Sequence, residues 1–144
     1  MLEMNAGRIP TMAETYLAFR HGPMCFLDRE TLLVCFLASD PVARVYEEDV
    51  ITEINRKQLG ARKLIVGAGV DPALLADGDV ALEVPAMAEL GDDNVPVLDV
   101  MVGQLLAFFR CRAEGLRPDM PSAGAISRVV NPFRIHARKE RPKP

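Results

Sequence analysis

Thr31-Leu32-Leu33-Val34-Cys35-Phe36-Leu37-Ala38, followed at once by Ser39-Asp40-Pro41, decides the fold. The run of eight carries no charge and includes β-branched and aromatic side chains. A strand with one wet face alternates apolar and polar residues. This one does not, so it reads as a strand buried on both faces, the pattern of a parallel sheet. Asp40 then offers a capping carboxylate, and Pro41 brings the fixed φ that suits a first helical position.

Moving outward, Val42, Tyr46, Val50 and Ile54 recur every four residues and predict one apolar face. Glu47, Glu48, Glu53 and Lys57 are expected elsewhere, and Gly60 is expected to end the helix. Lys63 to Val66 reads as a strand, Asp71 to Ala76 as a helical turn, and Val80 to Val84 as a further strand. Asp92, Asp93 and Asn94 read as caps for a long helix over Pro96 to Glu114, apolar on most of its circumference and therefore expected to be buried. Gly115-Leu116-Arg117-Pro118 closes it with a left-handed glycine, an apolar residue and a proline. Upstream, Ile9 to Tyr16 reads as a weak strand and Pro23 to Leu27 as a short helix. Leu2 to Ala6 reads as the last turn of a helix stopped by Gly7, so the sequence looks cut at its start. Strands alternating with helices imply an α/β fold, a parallel-sheet three-layer sandwich with helices on both faces.

The bulk properties bound the function. A chain of 144 residues that is 49% apolar suffices for one domain with a core. The net charge is −3, which gives no reason to expect nucleic acid. It is uneven, at +4 from Arg134 onward and −7 before it, so residues 134–144 read as a basic, solvated tail. Cys25, Cys35 and Cys111 all sit in apolar runs without metal-ligand spacing, which predicts buried thiols in a reducing compartment. The two histidines are far apart, so no zinc signature exists and neither metal nor cofactor is expected. The N-terminus lacks a signal-peptide pattern, and the apolar stretch from Val95 to Phe109 is broken by Asp99 and Gln104. A cytoplasmic protein without a membrane span is expected.

Chemistry centres on Phe19-Arg20-His21-Gly22-Pro23. Gly22 is free to take backbone angles that other residues avoid, and Pro23 suits the start of a helix. A histidine between a strand and a helix start is placed for acid–base work on a ligand; the plainer reading is a turn histidine bonded locally. Gly67-Ala68-Gly69 lacks the third glycine of a dinucleotide loop and the lysine of a P-loop, so it reads as a plain loop. Glu89, Asp92 and Asp93 could meet a hard cation, but helix capping accounts for them more simply. Glu3 ahead of His21 is a carboxylate that could converge with the imidazole to move protons, against the default of an exposed helical glutamate. Arg128 could hold an anion or lie at the surface. Ser39, Ser122 and Ser127 are the only serines, so no phosphate cradle is visible.

Several of these pieces in order resemble a known family. Leu2-Glu3-Met4-Asn5-Ala6-Gly7, Phe19-Arg20-His21-Gly22-Pro23, Leu32 to Ser39 with Asp40-Pro41, Gly115 to Ser122, and Ser127-Arg128-Val129-Val130 together resemble the C-terminal SIS (sugar isomerase) domain of the tagatose-6-phosphate ketose/aldose isomerase family. These proteins are relatives of the isomerase portion of glucosamine-6-phosphate synthase. The resemblance covers nearly all of residues 2–136. It implies an SIS-like fold over residues 1–133, incomplete because an N-terminal strand and serine-rich loops are missing. It also implies aldose–ketose isomerisation of a sugar phosphate through an enediol, or release of ammonia from an amino-sugar phosphate. By the same resemblance Glu3 would shuttle the proton between carbons and His21 would help open the ring. Arg20 and Arg128 would hold substrate. The synthase has a lysine near the place of Arg128; an arginine keeps its proton, so its part would be charge stabilisation. The implied partners are a sugar phosphate and either the missing SIS half or a second copy, as in a dimer. The rival expectations are a non-catalytic phosphosugar-binding or dimerisation module and a truncated, inactive fragment.

Overall fold

The computed structural model describes residues 9–119. In chain order these form α1 (Tyr16–Arg20), β1 (Leu32–Phe36), α2 (Pro41–Lys57), β2 (Arg62–Gly67), β3 (Val80–Glu83), α3 (Ala86–Leu90) and α4 (Pro96–Ala113). Single 3-10 turns lie at Pro23–Phe26 and Pro72–Leu74. The chain divides into two compact units, residues 11–105 and residues 1–10 with 106–144. The helix end at Leu2 to Gly7, the Ser127 to Val130 stretch and the basic tail lie outside the described residues.

Residues 11–105 hold a three-stranded parallel sheet in the order β1-β2-β3. Cys35 pairs with Ile65, and Leu64 with Val80. The deciding stretch is a strand, as expected, and its two faces enter different cores. Leu33 and Cys35 pack with Leu37, Ile51, Ile65 and Leu74 beneath α2 and the second 3-10 turn. Val34 and Phe36 pack with Val66, Met87 and Val95 beneath α3 and α4. Helices therefore cover both faces, and the central strand β2 carries the fully buried Ile65 and Val66.

Asp40 caps α2 as expected, accepting from the amides of Val42 (3.0 Å) and Ala43 (2.8 Å), with Pro41 in the first turn. The predicted apolar face needs correction. Val42 and Tyr46 are 66% and 57% exposed, while Val50, Ile51 and Ile54 are buried. A strict four-residue step drifts by about 40° per repeat against a 3.6-residue turn, so Val42 and Ile54 do not share a face. The inward stripe runs Arg44, Glu47, Ile51, Ile54, which brings two charged residues to the sheet side. The left-handed residue that ends α2 is Gln58 (φ 52°), two positions before Gly60.

Other expectations fail. Ile9 to Tyr16 forms no strand; Thr15 caps α1, its hydroxyl accepting from the amide of Ala18 at 3.3 Å, and Tyr16 opens that helix. Helix α3 went unread because five residues are too few to show a period. Helix α4 is not buried around most of its circumference: Val97, Val100, Met101 and Leu105 are each more than half exposed. Its other side, with Leu98 and Val102, packs against the Met87 and Val95 cluster. The sheet face occupies only one stripe of the helix up to Leu105; further along, Ala107 and Cys111 are fully buried. The helix end behaves as expected. Gly115 (φ 69°) bonds through its amide to Arg112, and Leu116 to Cys111, so two terminal carbonyls are satisfied. Cys35 and Cys111 are buried as expected, but Cys25 is exposed, since its 3-10 turn buries only Met24.

Candidate functional site

His21 does not follow a strand. It is the C-cap of α1, with its amide bonded to the Ala18 carbonyl at 3.1 Å, and its side chain is exposed. Among the described residues none bonds its imidazole. Pro23 begins the following 3-10 turn as expected, whereas Gly22 has φ −166°, so the left-handed freedom of glycine is not used here. Arg20, expected to hold substrate, is engaged within the chain. Its Nε donates to Glu53 Oε2 at 2.6 Å, and Lys57 Nζ lies 2.6 Å from the other oxygen. The bonds from Lys57 and then Arg20 hold the Glu53 carboxyl below the usual carboxylate range. A groove of about 370 Å³ runs between α1 and α2, lined by Leu17, Arg20, Tyr46, Glu53 and Arg56 among others. Glu3 and Arg128 lie outside the described residues, so their expected convergence with His21 remains a proposal.

The carboxyl ends of the strands are the usual ligand crevice of a parallel sheet. Here they are filled from within. Glu47 Oε2 accepts from the Ala38 amide at 2.7 Å, and Asp92 accepts from the amides of Ser39 (2.6 Å) and Asp40 (2.9 Å). Glu83 accepts from the amides of Gly69 and Val70, the latter at 2.9 Å. Arg44 donates to the carbonyls of Ala38 (3.2 Å), Ala68 (2.8 Å) and Gly69 (2.9 Å). The Gly67-Ala68-Gly69 loop is thus a structural loop. The acidic cluster is corrected in one respect: Asp92 does not cap α4 but ties the loop between α3 and α4 back to the loop after β1, and Asn94 donates to the Leu90 carbonyl. Among the described residues no group of histidine, cysteine and carboxylate side chains could hold a metal ion.

The electrostatics follow these contacts. The amides of Ser39 and Asp40 hold the Asp92 carboxyl below its ordinary range, and those of Val70 and Gly69 do the same for Glu83. Burial pushes the carboxyls of Glu47 and Asp99 up, and the Asp92 charge adds to both. Asp99 Oδ1 is buried without a partner among the described residues. On the other sheet face Tyr16 Oη donates to the Phe36 carbonyl at 2.9 Å. Burial raises this phenol, with the charges of Cys35 and Glu47 adding. Burial also pushes the Cys35 thiol up to about 12, against the pull of Lys63, so it is a poor nucleophile. Lys63 forms a buried pair with Asp79 at 2.6 Å, the side chains being 2% and 1% exposed.

Sequence reasoning missed Tyr16, Arg44, Glu47 and the Lys63–Asp79 pair. The signal for Arg44 and Glu47 was their 3,4,3 spacing with Ile51 and Ile54. For Lys63 it was a charge directly beside the apolar run Leu64 to Val66 of its strand.

This arrangement defines the class: a parallel α/β sheet layered by helices, with an exposed imidazole at the end of α1. No protein-family model matches the chain. It is 31% identical over 137 residues to D-galactosamine-6-phosphate deaminase AgaS of Escherichia coli O157:H7, covering 94% of this chain and 35% of that protein. It is 26% identical over 136 residues to the AgaS deaminase of Shewanella sp. (strain ANA-3), covering 94% of this chain and 32% of that one. The structure of tagatose-6-phosphate ketose/aldose isomerase from Escherichia coli matches 93% of this chain and 34% of its own, with a TM-score of 0.73 and 27% identity. The chain is a relative of these sugar-isomerase (SIS) proteins along nearly its whole length, and it spans about a third of theirs.

Proposed function

We propose that the chain supplies His21 as an acid–base residue to a phosphosugar aldose–ketose isomerase or amino-sugar-phosphate deaminase acting on a hexose or aminohexose 6-phosphate. The observation that carries this reading is the exposed imidazole, unbonded among the described residues, in a chain related to galactosamine-6-phosphate deaminase and tagatose-6-phosphate isomerase. Ring opening needs one proton removed from the anomeric hydroxyl and one delivered to the ring oxygen, and an imidazole, with one nitrogen to accept a proton and one to give it, suits both tasks. We assign to Glu3 the transfer of the proton between adjacent carbons through an enediol-type intermediate, and to Arg128 the stabilisation of charge. Deamination would further require an attacking water.

The same reading makes the chain part of a larger cytoplasmic assembly. Its strand-end loops are occupied by Glu47, Glu83 and Asp92, so the phosphate is gripped elsewhere, by another SIS portion or a second copy. The exposed apolar side of α4 supports such a partner. It equally favours the second reading, a non-catalytic dimerisation module.

The test is His21→Asn in the active assembly, with galactosamine 6-phosphate and tagatose 6-phosphate as substrates. Turnover is expected to fall by about 10²–10⁴-fold while circular dichroism is unchanged. Unchanged turnover would favour the dimerisation module.

A further inference from the structure

We infer that Tyr16 and the Arg20–Glu53 pair are positioning residues that hold the turn carrying His21, and that Arg20 acts through this fastening rather than by gripping substrate. The inference rests on the acid–base reading of His21. Helix α1 has five residues, none of them buried, and a helix that short does not stand by itself in water. Its place is set by what fastens it. At its first residue, Tyr16 Oη reaches across to the carbonyl of Phe36, the last residue of β1. At its fourth residue, Phe19 packs on the cluster of Met24, Val50 and Ile54. At its last residue, Arg20 is bonded to Glu53 of α2, and Lys57 holds the second oxygen of that carboxylate. His21 follows immediately, with its amide on Ala18, so its backbone is fixed by a helix tied down at both ends.

The energetics point the same way. Arg20 is 54% exposed at its side chain, and an exposed ion pair adds little to stability. What such a pair supplies is geometry. Glu53 is the better-covered partner, 13% exposed, and sits on a long helix fixed by Val50 and Ile54. Glu53 is therefore the better-fixed end of the pair. Small misplacement of a reacting group costs rate steeply, by about 10²-fold for 1 Å, so a fastening of little thermodynamic weight has leverage on turnover.

The experiment uses the full chain labelled with ¹³C and ¹⁵N, in wild-type form and as Tyr16→Phe, Glu53→Gln, Arg20→Ala and Arg20→Lys. The readout is the order parameter of the His21 imidazole and backbone amide, with the methyls of Val50 and Ile54 as controls. Glu53→Gln and Arg20→Ala are expected to lower the His21 order parameter from the rigid range, about 0.85, towards the mobile one, below about 0.6. Arg20→Lys is expected to restore most of it, and Tyr16→Phe to loosen the whole turn, with control methyls unchanged throughout. In the active assembly Arg20→Ala lowers kcat about tenfold and leaves KM in place. His21 dynamics that are the same in Glu53→Gln and Arg20→Ala as in the wild type overturn the inference. So does an Arg20→Ala protein whose KM alone rises, which would mark a substrate contact. A His21→Asn protein with full turnover removes the acid–base reading instead, and the order parameters still decide whether the turn is clamped.

Discussion

The sheet with its loops and the α1 turn use their polar groups in opposite ways. Around the sheet, most of the polar groups near the strand ends are matched within the chain: Lys63 with Asp79, Arg44 with three carbonyls, Glu47, Glu83 and Asp92 with five amides. On α1 the side chains of Tyr16 and Arg20 are spent on fastening, and the next residue presents an imidazole that no described residue bonds. Where every donor has an acceptor, a segment is rigid and chemically silent. Where one titratable group is left to solvent on an anchored backbone, it is available to a ligand. The loops at the strand ends are thus laced from within, whereas the turn beside α2 leaves an imidazole that no described residue bonds.

The largest effect is expected from Lys63→Met. It leaves Asp79 buried with two amide bonds and no counter-ion, which costs about 3–5 kcal/mol. Changing Asp79 to Leu in the same protein should recover most of that, because the uncompensated charge goes with it. Urea unfolding measures both. A single-variant loss under about 1 kcal/mol would show the pair to be as dispensable as a surface bridge, and the contrast between the two regions would weaken.

The next effect is in the pH dependence. Asp92 and Glu83 are held below their ordinary range in the fold. Their contribution is therefore present above the unfolded carboxylate value, about 4, and is lost as pH falls through the lower folded values. Asp99 and Glu47 run the other way. Their folded values are raised, so their charged forms work against folding at neutral pH, and that penalty is relieved as pH falls towards about 4. Asp99→Asn should accordingly stabilise the protein at pH 7 and make little difference near pH 4. Asp92→Asn should destabilise it at pH 7, with the difference narrowing in acid. Melting temperatures between pH 3 and 8 separate the two, and an Asp99→Asn protein less stable than wild type at pH 7 would mean that its carboxylate is paired after all.

How far the sequence foretold these two regions differs between them. The strands, the Asp40-Pro41 start and the Gly115 stop were legible because each depends on a local pattern: an apolar run, a cap, a left-handed glycine. The lacing was not. Glu47 reaches Ala38 and Asp92 reaches Ser39 only after β1 and α2 have folded back on each other, and capping explained Asp92 equally well from its neighbours. The His21 turn was legible as a candidate, yet its setting was misjudged. Thr15 offered a helix cap that competed with the strand pattern of Ile9 to Tyr16, and the cap prevailed, with no strand among the described residues pairing with this segment. The carboxylate that Arg20 meets was not legible either, because Glu53 is 33 positions away.

That cap supplies the smallest and most discriminating prediction. Thr15→Ala removes the hydroxyl that accepts from Ala18, a loss of about 0.5 kcal/mol, the low end for an exposed cap. If α1 is a locally fastened segment rather than part of the sheet's cooperative unit, the loss appears as faster hydrogen exchange at Ala18 and Phe19 while the amides of β2 keep their protection. The His21 order parameter should change less than in Glu53→Gln, because Thr15 sits at the far end of the helix from the Arg20 fastening. If exchange in β2 accelerates in step with α1, the turn and the sheet open together. The silent and the exposed regions would then be one structure, and His21 would owe its placement to the core as a whole rather than to the two bonds that tie α1 down.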